Sequence, residues 1–387
     1  MAYLLFHIGA APFGWGLIFV LISFLYTRNP VNPWFWILPS LLYWVPSTIY
    51  LIRFGGNHID IISVVFLGFF ALLLGLGRKT AHPIKRDVVD FKFFQNLYHI
   101  LIIILLVRMA LSEFGFDALS KFIFLSFQPL LGALLLGVLM TYTTKGFYAS
   151  ITKYIPFVLA VLYFNYTATD VSRLSIIVTI VTISLILVAS RIRPGEYMVI
   201  NNKNYIVGVI IFIVLTVMFY ESIILGGDVL ILHNLRSIIE EVNRAGSHEP
   251  FMLFHNGLFI LFPEQFWFSQ KPTGFNSSSW YLSNILGVDP ANYPWGVGTS
   301  MFGSAYIYGG YAVVFLSFIF VGLFFRKIAS ICSNQFWFGF ALYFMIALPF
   351  ALIRMDESFL FQSFLVSVTI VLMFISRYKS IIDSKFR

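Results

Sequence analysis

The sequence predicts an all-α integral membrane protein with about eleven transmembrane helices and one large loop outside the cytoplasm. Three observations predict it. Hydrophobic residues make up 59% of the 387 and charged residues 11%, and the mean hydropathy is +0.87, which excludes an ordinary soluble core. Apolar runs of about 17 to 25 residues recur along the chain, each long enough at ~1.5 Å per residue to cross a hydrocarbon layer about 30 Å thick. Runs such as LSIIVTIVTISLILVAS (Leu174 to Ser190) are apolar on every side, whereas the strands of a membrane barrel alternate in polarity over about ten residues.

Taken in order, the helices are expected over Leu4 to Tyr26, Trp34 to Ile52, Ile59 to Gly77, Asn96 to Ser112, Phe122 to Tyr142, Ser150 to Tyr166, Ser172 to Ser190, Tyr205 to Leu225, Thr299 to Phe325, Phe336 to Ile353 and Phe359 to Ser376. The first has no basic leader before it and no small-residue cleavage site after it, so it reads as a span and not as a removed signal peptide. The chain thus divides into residues 1–225 with eight spans, a loop at 226–298, and residues 299–387 with three spans and a cytoplasmic tail. Cys332 is the single cysteine and forms no internal disulfide, and no Cys or His group has zinc spacing.

Charge fixes the orientation. If the loop Arg78 to Lys92 is cytoplasmic, its five basic residues are joined inside by Arg28, Lys145, Lys153, Arg191, Arg193, Lys203, Arg326, Lys327, Arg377, Lys379, Lys385 and Arg387, seventeen of the 25 in the chain. Four acids (Asp87, Asp90, Glu196, Asp383) lie with them, a balance of +13, while the remaining eight basic and thirteen acidic residues give −5 elsewhere. This is the positive-inside pattern with the N-terminus out and the C-terminus in. It accounts for the net charge of +8 without a nucleic-acid partner.

The loop from Gly226 to Gly298 is then outside. Its first part, Asp228 to Ala245, places Val229, Leu232, Leu235, Ile239 and Val242 at helical spacing with Glu240, Glu241 and Arg244 opposite, which predicts an amphipathic helix ending at Gly246. GLFILFPEQFWF (Gly257 to Phe268) is too short to span and is broken by Pro263 and Glu264, so it is expected to lie in the interface or to dip in and return. The second half is rich in aromatic, amide and hydroxyl residues. Trp280 and Tyr281 fit either rings that stack on sugars or an ordinary interfacial aromatic belt.

Ionisable groups near the outer face are site candidates because charge at that depth is costly unless paired or functional. They are Arg108 in the fourth helix, Arg173 beside Asp170 at the mouth of the seventh, and Arg354 and Asp356 in the turn IRMDES. The bland readings are a snorkelling Arg108, an Asp170–Arg173 pair and a solvated turn. In the loop, Arg236, Arg244 and Lys271 supply cations, and His248 and Glu249 are candidate general bases.

Three segments carry a family resemblance: FPEQFWFSQKP (Phe262 to Pro272), GVGTSMFGSAYIYGGYAVVFLSFIFVGLFFR (Gly296 to Arg326) and DVSRLSIIVTI (Asp170 to Ile180). They resemble the Wzy-type O-antigen polymerases, the oligosaccharide repeat-unit polymerases of bacterial surface polysaccharide synthesis. Glu264 stands where that family often has Arg after the first Pro, which moves the corresponding cation to Arg236, Arg244 or elsewhere. The resemblance implies a GT-C-like, metal-independent glycosyltransferase without a cofactor, in the inner membrane with its active site facing the periplasm. Its substrates would be undecaprenyl-diphosphate-linked oligosaccharides, and a chain-length regulator protein is a candidate partner. In such a reaction Arg173 and at least one of Arg236 and Arg244 bind the diphosphates, Arg354 is a further catalytic candidate, and His248, Glu249 or Asp356 takes the acceptor proton. Arg108, Arg236, Lys271, Trp280 and Tyr281 then hold substrate. The rival readings are an O-antigen ligase of the same architecture, a lipid-linked oligosaccharide flippase or transporter, for which internal repeats and broken helices are expected, and a membrane acyltransferase, for which His7 and His99 form no pair.

Overall fold

The computed structural model describes residues 32–34, 59–77, 231–250, 277–292 and 298–331, with isolated positions at 99, 103, 106–107, 110–111, 114–115, 345 and 352. The third and ninth predicted helices fall within these residues, and the others lie wholly or mainly outside them. All elements among the described residues are helical. Two helices there are long and apolar enough to cross a membrane.

Helix α1 runs over Ile59–Leu76, matching the third predicted span. Asp60 sits in its first turn, where the helix dipole favours an acid. Gly77 ends it in a left-handed conformation (φ 60°), its N–H donating to the Leu73 carbonyl at 3.1 Å, as such caps do. Val64, Gly68, Ala71, Leu72 and Gly75 form a buried face, while Phe66, Phe70 and Leu74 face outward.

Helix α2, Ile231–Ala245, is the amphipathic helix of the loop. Leu235, Ile238, Ile239 and Val242 are buried, and Gly246 (φ 64°) ends the helix with an N–H donated to the Val242 carbonyl at 3.0 Å. Helix α3, Ser277–Asn284, and a 3-10 turn at Pro290–Asn292 occupy the segment that the sequence showed only as aromatic and polar.

Helix α4 covers Ser300–Ile331 but is interrupted at Gly309 and Gly310. The Phe302 and Phe318 rings lie 4.4 Å apart, centroid to centroid. A continuous helix would separate those positions by about 24 Å, so residues 300–308 double back on residues 311–331. The helix expected over Thr299 to Phe325 is therefore present as two limbs. The second limb, 311–331, is about 31 Å long at 1.5 Å per residue and is by itself long enough to cross.

The second limb runs parallel to α1. Asp60 meets Tyr311, Gly68 meets Phe318, Gly75 meets Gly322, and Gly77 meets the Arg326 guanidinium. At Gly75 and Gly322 the backbones touch: a Cβ on Gly322 would stand 2.5 Å from the Leu72 carbonyl oxygen and 2.9 Å from the Gly75 Cα, and a Cβ on Gly75 would collide with the Ile319 carbonyl oxygen. Small residues that let backbones approach are how helices gain dispersion contacts where lipid removes the hydrophobic drive. The first limb and α2 run the other way, with Leu235 and Ile238 packed against Gly303. The centre of this assembly is aromatic, with Phe302 between Phe69 and Phe318 and Phe302, Tyr308, Phe318 and Phe325 fully enclosed.

Candidate functional site

Four pieces of chain converge at the Asp60 end of the helix pair: the start of α1, the last turn of α2, residues 246–250, and the break in α4. A broken helix leaves its last carbonyls without intrahelical donors. One of them, on Ile307, is taken by the main-chain N–H of Glu249 at 2.9 Å. Gly310, at φ 61° and ψ −145°, holds a conformation open almost only to glycine. The His248 ring lies over it, 3.1 Å from where a Cβ would stand.

Side chains on both sides of the break hydrogen-bond to neighbouring elements. The Tyr306 hydroxyl donates to the Asn243 side-chain oxygen at 2.9 Å, and the Tyr311 hydroxyl donates to the Asp60 carboxylate at 3.2 Å. The Tyr306 and Tyr311 rings are perpendicular with centroids 5.5 Å apart, and the His248 ring meets Tyr306 edge-on at 6.1 Å. Tyr306 is enclosed, whereas Asp60, Asn243, His248, Glu249 and Tyr311 are exposed. The result is an open cluster of two carboxylates, an exposed phenol set against an enclosed one, an imidazole and an amide. Acceptors, donors and an aromatic wall in that combination suit a polyhydroxylated ligand.

Toward the other end of the first limb lies a second polar group, fully enclosed. The hydroxyls of Ser277, Thr299 and Ser304 form a triangle with sides of 2.8, 2.9 and 3.2 Å. Asn234 beside them donates to the Gly298 carbonyl at 2.8 Å and accepts from the Tyr281 hydroxyl at 3.0 Å. Burial pushes the Tyr281 phenol above its ordinary value, so it remains a donor. Buried polar groups that satisfy one another fix a unique arrangement, and here they dock α3 and the start of α4 onto α2.

The expected residues that are described fall in three sets. His248 and Glu249 sit at the break in α4, at the open cluster. Arg236 and Arg244 lie on the charged face of α2, joined to Glu240 at 2.7 Å and to Glu241 at 2.6 Å. Both arginines are solvated, Arg244 being 76% exposed, so these ion pairs are weak and exchangeable. Trp280 and Tyr281 are buried, and in this arrangement neither ring offers an open stacking face. Arg108, Arg173, Lys271, Arg354 and Asp356 lie outside the described residues.

Sequence reasoning passed over Asp60, Asn243, Tyr306 and Tyr311. The available signals were an acid in the first turn of an apolar run and the pattern YIYGGY, in which tyrosines flank a glycine pair. Among the described residues no group of three or more His, Cys, Asp or Glu is placed to hold a metal ion. No family model, curated protein or solved structure matches the chain.

Proposed function

We propose that this chain is a glycosyltransferase of the bacterial inner membrane that joins undecaprenyl-diphosphate-linked oligosaccharide repeat units into a surface polysaccharide at the periplasmic face. The growing chain leaves its lipid diphosphate and joins a hydroxyl of the next lipid-linked repeat. The observation that carries this reading is the polarity of the α1–α4 pair. The open cluster of Asp60, His248, Tyr306 and Tyr311 lies at the end opposite Arg326. Arg326 and Lys327 belong to the basic set that the positive-inside rule assigns to the cytoplasm. Candidate chemistry and cytoplasmic charge thus stand at opposite ends of a helix pair long enough to cross the bilayer. The short segments resembling repeat-unit polymerases support the same reading. An O-antigen ligase would differ from it only in the acceptor.

One observation favours a different class. The break in α4 and its doubled-back limb are the kind of discontinuous helix that transporters use, which a lipid-linked oligosaccharide flippase would share. Genetic complementation separates the two. In a strain lacking this gene, the polymerase reading expects surface glycan of single repeats, restored to a ladder of chain lengths by the wild-type chain. A strain with no surface glycan until the chain is returned would support the flippase. In the restored strain Arg173→Ala is expected to return single repeats, and an unchanged ladder removes Arg173 from the site. Orientation is checked by Ser247→Cys with Cys332 replaced: labelling of intact cells by a membrane-impermeant maleimide that reaches the periplasm is expected, and protection in cells but not in lysates overturns the proposal.

A further inference from the structure

Resting on the polymerase reading, the geometry points to an acceptor subsite at the break in α4, in which Asp60 takes the proton of the attacking sugar hydroxyl and Tyr311 provides the wall beside it. Asp60 differs from the other exposed acids described because it stands on α1, whose following turns are locked against α4 by Gly68, Gly75 and Gly322. A base on a rigid helix keeps its place better than one on a loop. Glu249 lies on residues 246–249, outside the regular helices. The Tyr311 hydroxyl donates to one Asp60 oxygen at 3.2 Å. A carboxylate has about four acceptor positions, so this contact orients Asp60 without saturating it.

The charge of Asp60 also decides which substrate comes here. A diphosphate next to a carboxylate is repelled, and the repulsion is stronger near a protein surface than in bulk water. The donor's diphosphate is therefore placed away from Asp60, toward cations such as Arg236 and Arg244, and the neutral sugar of the acceptor occupies the cluster. Tyr311 and His248 are the exposed rings there, Tyr311 held perpendicular to the enclosed Tyr306; Asn243, whose side-chain oxygen accepts from the Tyr306 hydroxyl, offers its amide nitrogen to further hydroxyls.

The step balances within these groups. The acceptor oxygen bonds to the donor's anomeric carbon as the bond from that carbon to the diphosphate oxygen breaks. The bonding pair leaves with the lipid diphosphate, and the hydroxyl proton passes to an Asp60 oxygen and then to water.

The test uses the purified full chain in nanodiscs, with lipid-linked repeat units isolated from the gene-deleted strain as substrate. Wild-type chain that extends them supports the polymerase reading. Wild-type chain that does not, although it is folded, defeats that reading and this inference with it. Given extension, Asp60→Asn is expected to slow it at least about a hundredfold, the usual range for a lost general base, with an unchanged melting curve. Tyr311→Phe is expected to cost about tenfold. An Asp60→Asn chain that extends at the wild-type rate overturns the assignment and leaves the polymerase standing. Should that variant fail to accumulate, Asp60→Glu decides: a rate lowered about tenfold supports the base, and an unchanged rate overturns it.

Discussion

The two ends of the α1–α4 pair are built differently. At the Arg326 end the helices meet through Gly75 and Gly322, backbone against backbone, with nothing between them to adjust. At the Asp60 end they are joined by a phenol and a carboxylate across the surface, and the helix of one partner has been opened at Gly309 and Gly310. Glycine contacts give a close and rigid fit but offer a ligand nothing to bind. The open end gives up regular hydrogen bonds and gains exposed donors and acceptors. One interface thus holds a frame at one end and presents chemistry at the other.

The contrast can be broken in three places. The largest effect is expected from Gly322→Leu: its Cβ would stand 2.5 Å from the Leu72 carbonyl oxygen, and main chain cannot yield as a side chain can. Overpacking of this kind costs about 3 kcal/mol or more, and the yield of monodisperse protein after extraction should collapse. A Gly322→Leu chain that purifies and melts like the wild type would show that the rigid end is not rigid. Next is Gly310→Ala. Its φ of 61° with ψ −145° is a region closed to almost every L-residue and costs about 1–3 kcal/mol, and the His248 ring 3.1 Å away must move. Reduced extension with a modestly lowered melting temperature is expected, and a larger loss of fold than from Gly322→Leu would reverse the roles of the two ends. The smallest effect belongs to Arg244→Ala, whose exposed pair with Glu241 contributes about 0.5 kcal/mol or less. Its melting curve should match the wild type, while diphosphate binding predicts a shortened glycan ladder.

What the sequence revealed followed periodicity. Ile59–Leu76 and Ile231–Ala245 were legible because one is a run of spanning length and the other repeats its apolar residues at helical spacing, each closed by a glycine that takes the left-handed cap. The fold-back in α4 was not legible. Hydropathy registers how apolar a segment is and not which way it runs, so SMFGSAYIYGGYAVVFLSF reads as one span whether straight or doubled. Helix α3 was hidden for another reason. Serine and asparagine compete for the backbone in isolated chains, and it is the packing of Trp280, Tyr281 and Leu282 that makes Ser277–Asn284 helical. At the site, His248 and Glu249 were accessible to reasoning from residue type. Asp60 and Tyr311 were not, because their partnership spans 251 positions of sequence.

The bond from the Glu249 N–H to the Ile307 carbonyl has a practical corollary. Because both atoms belong to the main chain, an alanine scan passes over it: every variant at position 249 except proline keeps the tether, and changes at 307 keep it too. Tolerance at these two positions would therefore not mean that the connection is dispensable. Backbone chemistry, such as an ester in place of the amide at residue 249, is the way to cut it and learn whether the two strips of chain must travel together.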